Sequence, residues 1–340
     1  MGIKWNELLK YDINSLVCAM LKGDTLSLAK LITVTEAESE NVPEIVKAIY
    51  PHIGNAYRLG VTGPPGAGKS TILDKLISFF RANKLSVGVI CADPSSPFTG
   101  GAVLGDRIRM QSHIMDEGVF IRSMATRGSL GGLPKTTSNV IKLLEAFGKE
   151  IILVETVGVG QAELDIMEIV DTTIVVLVPE AGDSIQAMKA GLMEIADIFV
   201  VNKADRPGVE SFVRDLITSV HLCDNKNSWE RPILTAEAIN NIGIDHLYEQ
   251  IEKHNQTIRK TGQFNEKRMQ HRRKEFIEAI EKKAVSKLLD LVERDTTLAE
   301  YLSKVDSGIF DAYSAADAVI RKGFIRSWAN QLLNNNDVKL

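Results

Sequence analysis

The sequence predicts a doubly wound α/β domain built on a mostly parallel sheet, with a helical segment before it and a helical extension after it. Three observations carry that prediction. Continuous β-branched runs such as IILVET, TIVVLV and IFVVN suit strands covered on both faces. Stretches of helical length separate most of these runs. Both ends of the chain lack strand signals and instead space apolar residues three or four apart.

Taken in order, residues 1–55 read as a small helical cap. Leu8, Leu9, Ile13, Leu16, Val17 and Met20 predict one apolar helix face, and Leu26, Leu28, Ala29, Leu31 and Ile32 another. Residues 56–255 form the main domain, with strands predicted at 57–62, 87–92, 151–156, 173–178, 198–202 and 232–235. From 256 to 340 the signal is helical, and Ile277, Ile280, Ala284, Leu288 and Leu291 describe one amphipathic helix. The basic run KRMQHRRKEF before it reads as a solvated helix face, with contact to an acidic partner as the alternative.

Composition narrows the class. A chain of 340 residues can bury a substantial core, and 44% hydrophobic with 25% charged residues is ordinary for a globular protein. A net charge of -4 gives no general drive toward nucleic acid or an anionic membrane. No apolar run approaches the roughly 20 residues that span a bilayer. The opening residues lack a secretory h-region and the Arg- and Ser-rich character of a transit peptide. Three cysteines without metal spacing suit a reducing compartment, so a cytoplasmic location is expected.

The chemistry is concentrated in a few motifs. GPPGAGKST, Gly63 to Thr71, contains G-x-x-x-x-G-K-[ST] directly after a predicted strand and at the start of a predicted helix. In that context the backbone N–H groups of Gly63, Pro64, Pro65, Gly66, Ala67 and Gly68 (the prolines excepted) turn toward phosphate oxygens at the positive end of a helix. Lys69 would reach the β- and γ-phosphates and the Ser70 hydroxyl would ligate Mg²⁺. A glycine-rich turn without function is the alternative. Downstream, Asn202-Lys203-Ala204-Asp205 follows a strand. A carboxylate there accepts from guanine N1–H and its 2-amino group, whereas adenine would leave it unsatisfied. Thr235-Ala236-Glu237, after the next strand, sits where GTPases supply a loop backing the base.

Three carboxylates are candidates for the metal. Asp93 closes a predicted strand and is either a Mg²⁺ group or a helix N-cap before Pro94. Asp106 is either a metal group or the cap of DRIRMQ, and spacing does not decide between them. Glu155 ends an apolar run before Thr156-Val157-Gly158, where many GTPases read D-x-x-G; it is a metal-site carboxylate or the end of a buried strand. Gly158 and Gly160 would allow movement there. Arg127 lies in a glycine-rich loop that either approaches phosphate or forms surface. In VPEAGDSIQAMKAG, spacing alone reads a helix start capped by Asp183 or Ser184, with Gln186 and Lys189 about one turn apart.

GPPGAGKST, DPSSPFTGGAVLGDR, MATRGSLGG, ETVGVGQAE, AGDSIQAMKAG and NKAD, in this order, resemble the MeaB/ArgK/MMAA group of phosphate-loop GTPases. The resemblance covers roughly residues 20 to 260. It implies GTP hydrolysis to GDP and phosphate, and a chaperone role toward an adenosylcobalamin-dependent acyl-CoA mutase, most often methylmalonyl-CoA mutase. It also implies a homodimer formed with help from the C-terminal helices. Asp93, Asp106 and Glu155 are then expected around Mg²⁺, and AGDSIQAMKAG becomes a mobile switch carrying Gln186 and Lys189 toward the nucleotide. Thr235-Ala236-Glu237 departs from the more usual SA-containing string. Two other classes compete: a nucleotide-dependent kinase linked to amino-acid transport, and a metallochaperone GTPase, which six scattered histidines and isolated cysteines disfavour.

Overall fold

The computed structural model describes residues 12–93, 110–126, 133–158, 161–179, 191–223, 229–294 and 296–321. The chain divides into two compact units, Met1–Lys267 and Arg268–Leu340.

Among the described residues, the first unit has α1 (Ile13–Leu21), α2 (Thr25–Glu36) and α3 (Val42–Ile49) before the sheet. Asp12 and Asp24 cap α1 and α2 through side-chain oxygens that accept from the first-turn N–H groups. Ile13, Leu16, Val17 and Met20 are buried on α1, and Leu28, Leu31 and Ile32 on α2. Leu26, expected on the same face, is 63% exposed. At about 100° per residue it lies nearly opposite Leu28, so the two cannot share a face. The expected face residues Leu8 and Leu9 lie outside the described residues.

Among the described residues seven strands follow: β1 (Tyr57–Thr62), β2 (Val87–Asp93), β3 (Val119–Ala125), β4 (Ile151–Glu155), β5 (Thr172–Leu177), β6 (Ile198–Asn202) and β7 (Ile233–Ala236). Their order is β3-β2-β4-β1-β5-β6-β7, and every pair is parallel. β3 is absent from the predicted set. It is an edge strand, VFIRSMA, most of whose residues are only half-buried, and Arg122 and Ser123 break its apolar run. The other six strands match the predicted positions to within a residue or so at each end.

Side-chain alternation distributes the core onto two faces. Leu59, Val61, Val89, Leu153, Val176 and Val200 pack with α4 (Lys69–Ala82) and α8 (Ile244–Thr261). Ile90, Ile152, Val154, Val175, Phe199 and Val201 pack in the cluster that also holds the buried residues of α1, α2, α3, α5 (Thr137–Ala146) and α7 (Val209–Cys223). Between these helices α6 (Leu192–Ile195) is a single turn. Gly60 is a point of close approach: a Cβ there would lie 2.7 Å from Ile166, so its absence lets the 3₁₀ segment Gln161–Glu168 rest directly on β1.

The last helices among the described residues are α9 (Gln263–Arg294), α10 (Thr296–Asp306) and α11 (Ala312–Arg321). Within α9, Phe276, Ile277, Ile280 and Val285 are each more than half exposed. Of the basic run, Arg272, Arg273 and Lys274 are solvated, whereas Arg268 is buried. Lys267 donates to the Asp171 carbonyl oxygen at 3.1 Å and lies 3.7 Å from Asp197 Oδ2, so it too departs from a simple solvated face.

Candidate functional site

Parallel pairing sends the carboxyl ends of β1, β4, β2 and β6 to one edge of the sheet, where ligands of such folds bind. Residues 63–68 leave β1 there and turn into α4. Gly63 has φ +135° and Gly68 has φ +92°, values that favour glycine. A Cβ on Gly63 would fall 2.1 Å from the Val176 carbonyl oxygen, and one on Gly68 would fall 2.3 Å from Asn202 Nδ2. The glycines therefore allow the loop to sit against β5 and β6 as well as to turn.

Lys69 and Ser70 begin α4 and are almost fully buried. The Lys69 ammonium donates to the carbonyl oxygens of Gly63 at 2.8 Å and Pro64 at 3.1 Å, so the loop curls around its own cation. Ser70 Oγ donates to Glu155 Oε1 at 2.7 Å. Glu155 is the last residue of β4 and only 4% exposed. It is both a buried strand terminus and a carboxylate held on the phosphate-loop hydroxyl. Asp93 ends the neighbouring β2, 5% exposed, two residues beyond Cys91, the register partner of Glu155. A hydroxyl and buried carboxylates are hard oxygen donors of the kind Mg²⁺ takes beside phosphate oxygens and water. Among the described residues no group of three His, Cys, Asp or Glu stands ready to hold a metal by itself.

Past Glu155, the Thr156 N–H donates to the Val61 carbonyl oxygen at 3.1 Å, and its hydroxyl meets that of Thr62 at 2.8 Å. These bonds fix the exit of β4 against β1. Gly158, at φ +84°, then reaches the phosphate loop: a Cβ would lie 2.4 Å from both Lys69 Nζ and the Gly63 carbonyl oxygen. The sequence suggested freedom of movement at this glycine. The contact with Lys69 becomes visible only in three dimensions.

Asn202 ends β6 and serves as a brace. Its Nδ2 donates to the Ala67 carbonyl oxygen at 2.8 Å, and its Oδ1 accepts from the Ala238 N–H at 3.1 Å. Lys203 takes the left-handed conformation, φ +58°, and the turn presents Asp205 to solvent. Thr235 and Ala236 lie inside β7, paired with Val201 and Asn202, and the Ala236 carbonyl accepts from the Ala204 N–H at 3.1 Å. The loop proper begins at Glu237, whose backbone pairs with Ile242 in both directions. Ala238 is thus a residue the sequence reading missed, since a short string gives no sign of where its strand stops. Asp106, Arg127, Gln186, Lys189 and the helix caps Asp183 and Ser184 lie outside the described residues, as does Gly160.

A seven-stranded parallel sheet with this loop, a buried hydroxyl–carboxylate pair and an N-K-x-D turn at one edge defines a phosphate-loop GTPase. The particular family follows from its relatives. The chain belongs to the family described as methylmalonyl Co-A mutase-associated GTPase MeaB, which matches residues 28–293. A Pyrococcus abyssi protein designated a GTPase is 48% identical over 313 residues, 91% of this chain and 96% of the relative. GTPase ArgK of Escherichia coli is 37% identical over 257 residues, 73% of this chain and 78% of that protein. The mouse protein named methylmalonic aciduria type A homolog, mitochondrial, is 30% identical over 279 residues, 76% of this chain and 67% of the relative. A crystal structure described as LAO/AO transport system kinase superposes with a TM-score of 0.64 at 26% identity, covering 96% of this chain and all of that one.

Proposed function

We propose that this GTPase is a chaperone of an adenosylcobalamin-dependent acyl-CoA mutase, most simply methylmalonyl-CoA mutase, gating cofactor delivery and protecting or reactivating the loaded enzyme. The family description and the name of the mouse relative support the choice of partner. The observation that carries the nucleotide chemistry is the buried Ser70–Glu155 bond at the end of the 63–68 loop.

In this reading residues 63–71 hold the phosphates, and Ser70, Asp93, Glu155 and Asp106 would hold Mg²⁺, which would supply charge neutralisation at the phosphates. Asn202, Lys203 and Asp205 take the guanine, backed by 235–237 and by Ala238. Lys69 stabilises the transferring phosphoryl by charge and position. Gln186 and Lys189 complete the site in the complex with the mutase. Because binding and nucleotide state share one free-energy cycle, the mutase must alter nucleotide affinity as much as nucleotide alters mutase affinity. The exposed apolar residues of α9 support a homodimer, and the protein works in the cytoplasm.

The test is co-elution of the purified chain with methylmalonyl-CoA mutase, with and without a non-hydrolysable GTP analogue, alongside Lys69→Ala. The wild type is expected to form a nucleotide-dependent complex and Lys69→Ala to lose hydrolysis. No complex in either nucleotide state would overturn the partner. A second reading, a kinase, is favoured by the solved relative described as a transport system kinase. γ-Labelled GTP separates the two, since hydrolysis yields free phosphate and a kinase transfers the label to an acceptor protein.

A further inference from the structure

The end of β4 is held against its neighbours from both faces of the sheet. Side chains alternate along a strand, so Val61, Leu153 and Glu155 share the face of α4, whereas Val154, Thr62 and Thr156 share the other. On the first face the Glu155 carboxylate accepts from the Ser70 hydroxyl at 2.7 Å. On the second, Thr62 Oγ1 and Thr156 Oγ1 lie 2.8 Å apart. Val61 pairs with Glu155, and the Thr156 N–H carries the ladder one step further, to the Val61 carbonyl oxygen at 3.1 Å. Each threonine adjoins a segment of the site. Thr62 precedes Gly63, and Thr156 stands between Glu155 and Gly158.

Both threonines are buried, and among the described residues each hydroxyl has the other as its hydrogen-bond partner. Apolar residues of this face include Val154 and Val175, the register partner of Thr62. Stability alone gives no reason for hydroxyls in such a place. Two valines would fill nearly the same volume, and replacing both partners by apolar groups of one shape is close to neutral. What the hydroxyls change is distance. Their oxygens sit at 2.8 Å, whereas carbon atoms in contact settle at about 3.5–4.0 Å. The pair therefore draws the exit of β4 about 1 Å closer to β1 than apolar contact would. Two residues on, the spacing is just as tight, since a Cβ on Gly158 would fall 2.4 Å from both the Gly63 carbonyl oxygen and Lys69 Nζ.

We propose that Thr62 and Thr156 are positioning residues for GTP hydrolysis: their hydrogen bond sets how closely the strand end carrying Glu155 and Gly158 rests on the phosphate loop. Both act at one remove, through Glu155 on Ser70 and through Gly158 on Lys69. A displacement of about 1 Å can cost on the order of a hundredfold in rate. Residues 63–68 keep their own supports against Val176 and Asn202, so nucleotide affinity is not what the pair controls. The inference rests on the role given to Lys69 above.

The test is steady-state GTP hydrolysis by Thr62→Val, Thr156→Val, the double valine variant, Thr156→Ser and Thr156→Ala, with GDP affinity in EDTA and melting temperature measured on each. Each single valine leaves one buried hydroxyl unpaired and should melt below wild type. The double variant should melt near wild type yet keep kcat lowered about ten- to hundredfold, with KM and GDP affinity within about twofold. Thr156→Ser and Thr156→Ala both lose the methyl group and only the first keeps the hydroxyl. The serine variant should therefore retain most of the turnover and the alanine variant should not, a comparison that decides even if the double variant does not fold. A kcat that returns with the melting temperature in the double variant, or equal turnover in the serine and alanine variants, overturns the positioning role. GDP affinity falling in step with kcat overturns it too, because the pair would then shape the loop itself. Normal turnover in Lys69→Ala overturns the reading of Lys69 and this inference with it.

Discussion

At the residue scale, the least expected contact is between Gly158 and the phosphate loop. A methyl group there meets Lys69 Nζ and the Gly63 carbonyl oxygen at 2.4 Å, and backbone at φ +84° is strained for any L side chain. Gly158→Ala is therefore expected to displace the ammonium that the loop holds. Turnover should fall about a hundredfold, the scale of losing one aimed charge-stabilising donor. Circular dichroism should show the secondary structure intact. Asp205 makes a different kind of prediction, because it is exposed and its proposed work is discrimination. In Asp205→Asn, preference for GTP over ATP should narrow by about five- to 150-fold, equivalent to the 1–3 kcal/mol of an unsatisfied group. Competition between the two nucleotides for the site measures it.

At the scale of elements, the helical cap and the sheet are joined by charge as well as by apolar packing. Arg58 on β1 donates from Nε to Glu145 on α5 at 3.0 Å, and Glu145 Oε2 accepts from the Gly54 N–H at 2.9 Å just before the strand. Both partners are buried. Arg122 on β3 grips Glu36 at the end of α2 through two nitrogens. Removing one member of a buried pair strands the other's charge, so Arg58→Ala should cost about 3–5 kcal/mol. Urea unfolding would register this as a lower midpoint, while turnover per folded molecule is maintained because Arg58 lies near the opposite end of β1. Arg122 also explains why β3 escaped prediction. A charged residue in the middle of a strand reads as a break, yet here it is the residue that docks α2 on the sheet edge.

At the scale of the whole molecule, the sheet edge away from the nucleotide carries a buried polar chain. The Tyr57 hydroxyl bonds Thr172 Oγ1, which lies 2.7 Å from His254 Nδ1, and His254 Nε2 is 3.5 Å from Asp197. Lys267 and Asp171 close the group, and the Trp229 ring packs edge-on at 4.7 Å. Burial lowers the His254 pKa, with Asp197 and Asp171 opposing that shift and Lys267 adding to it. A folded state that prefers neutral imidazole binds fewer protons than the unfolded chain. This contribution to stability is thus complete above about pH 6.5 and is lost as pH falls below that value and through the folded pKa. Melting temperatures between pH 7.5 and 5 should decline, and His254→Gln should flatten the decline. An equally steep drop in that variant would assign acid sensitivity elsewhere.

The sequence by itself determined the fold class, six of the seven strands and the identity of the loop at 63–70. Each depends on local spacing: alternating or continuous apolar runs, helical intervals, and glycines at fixed offsets from a lysine. It also marked Glu155 as an acidic strand end, without saying which group it would meet. Tertiary structure alone decided that Ser70 meets Glu155 across 85 residues, that Gly158 touches Lys69, and that Asn202 braces Ala67 against Ala238. It also decided that β7 runs through Ala236, placing the start of the loop expected to back the base at Glu237. These facts follow from strand order, because β4 and β5 flank β1 and every strand points the same way. Residues far apart in the chain become neighbours only once parallel pairing brings their strand ends to one edge.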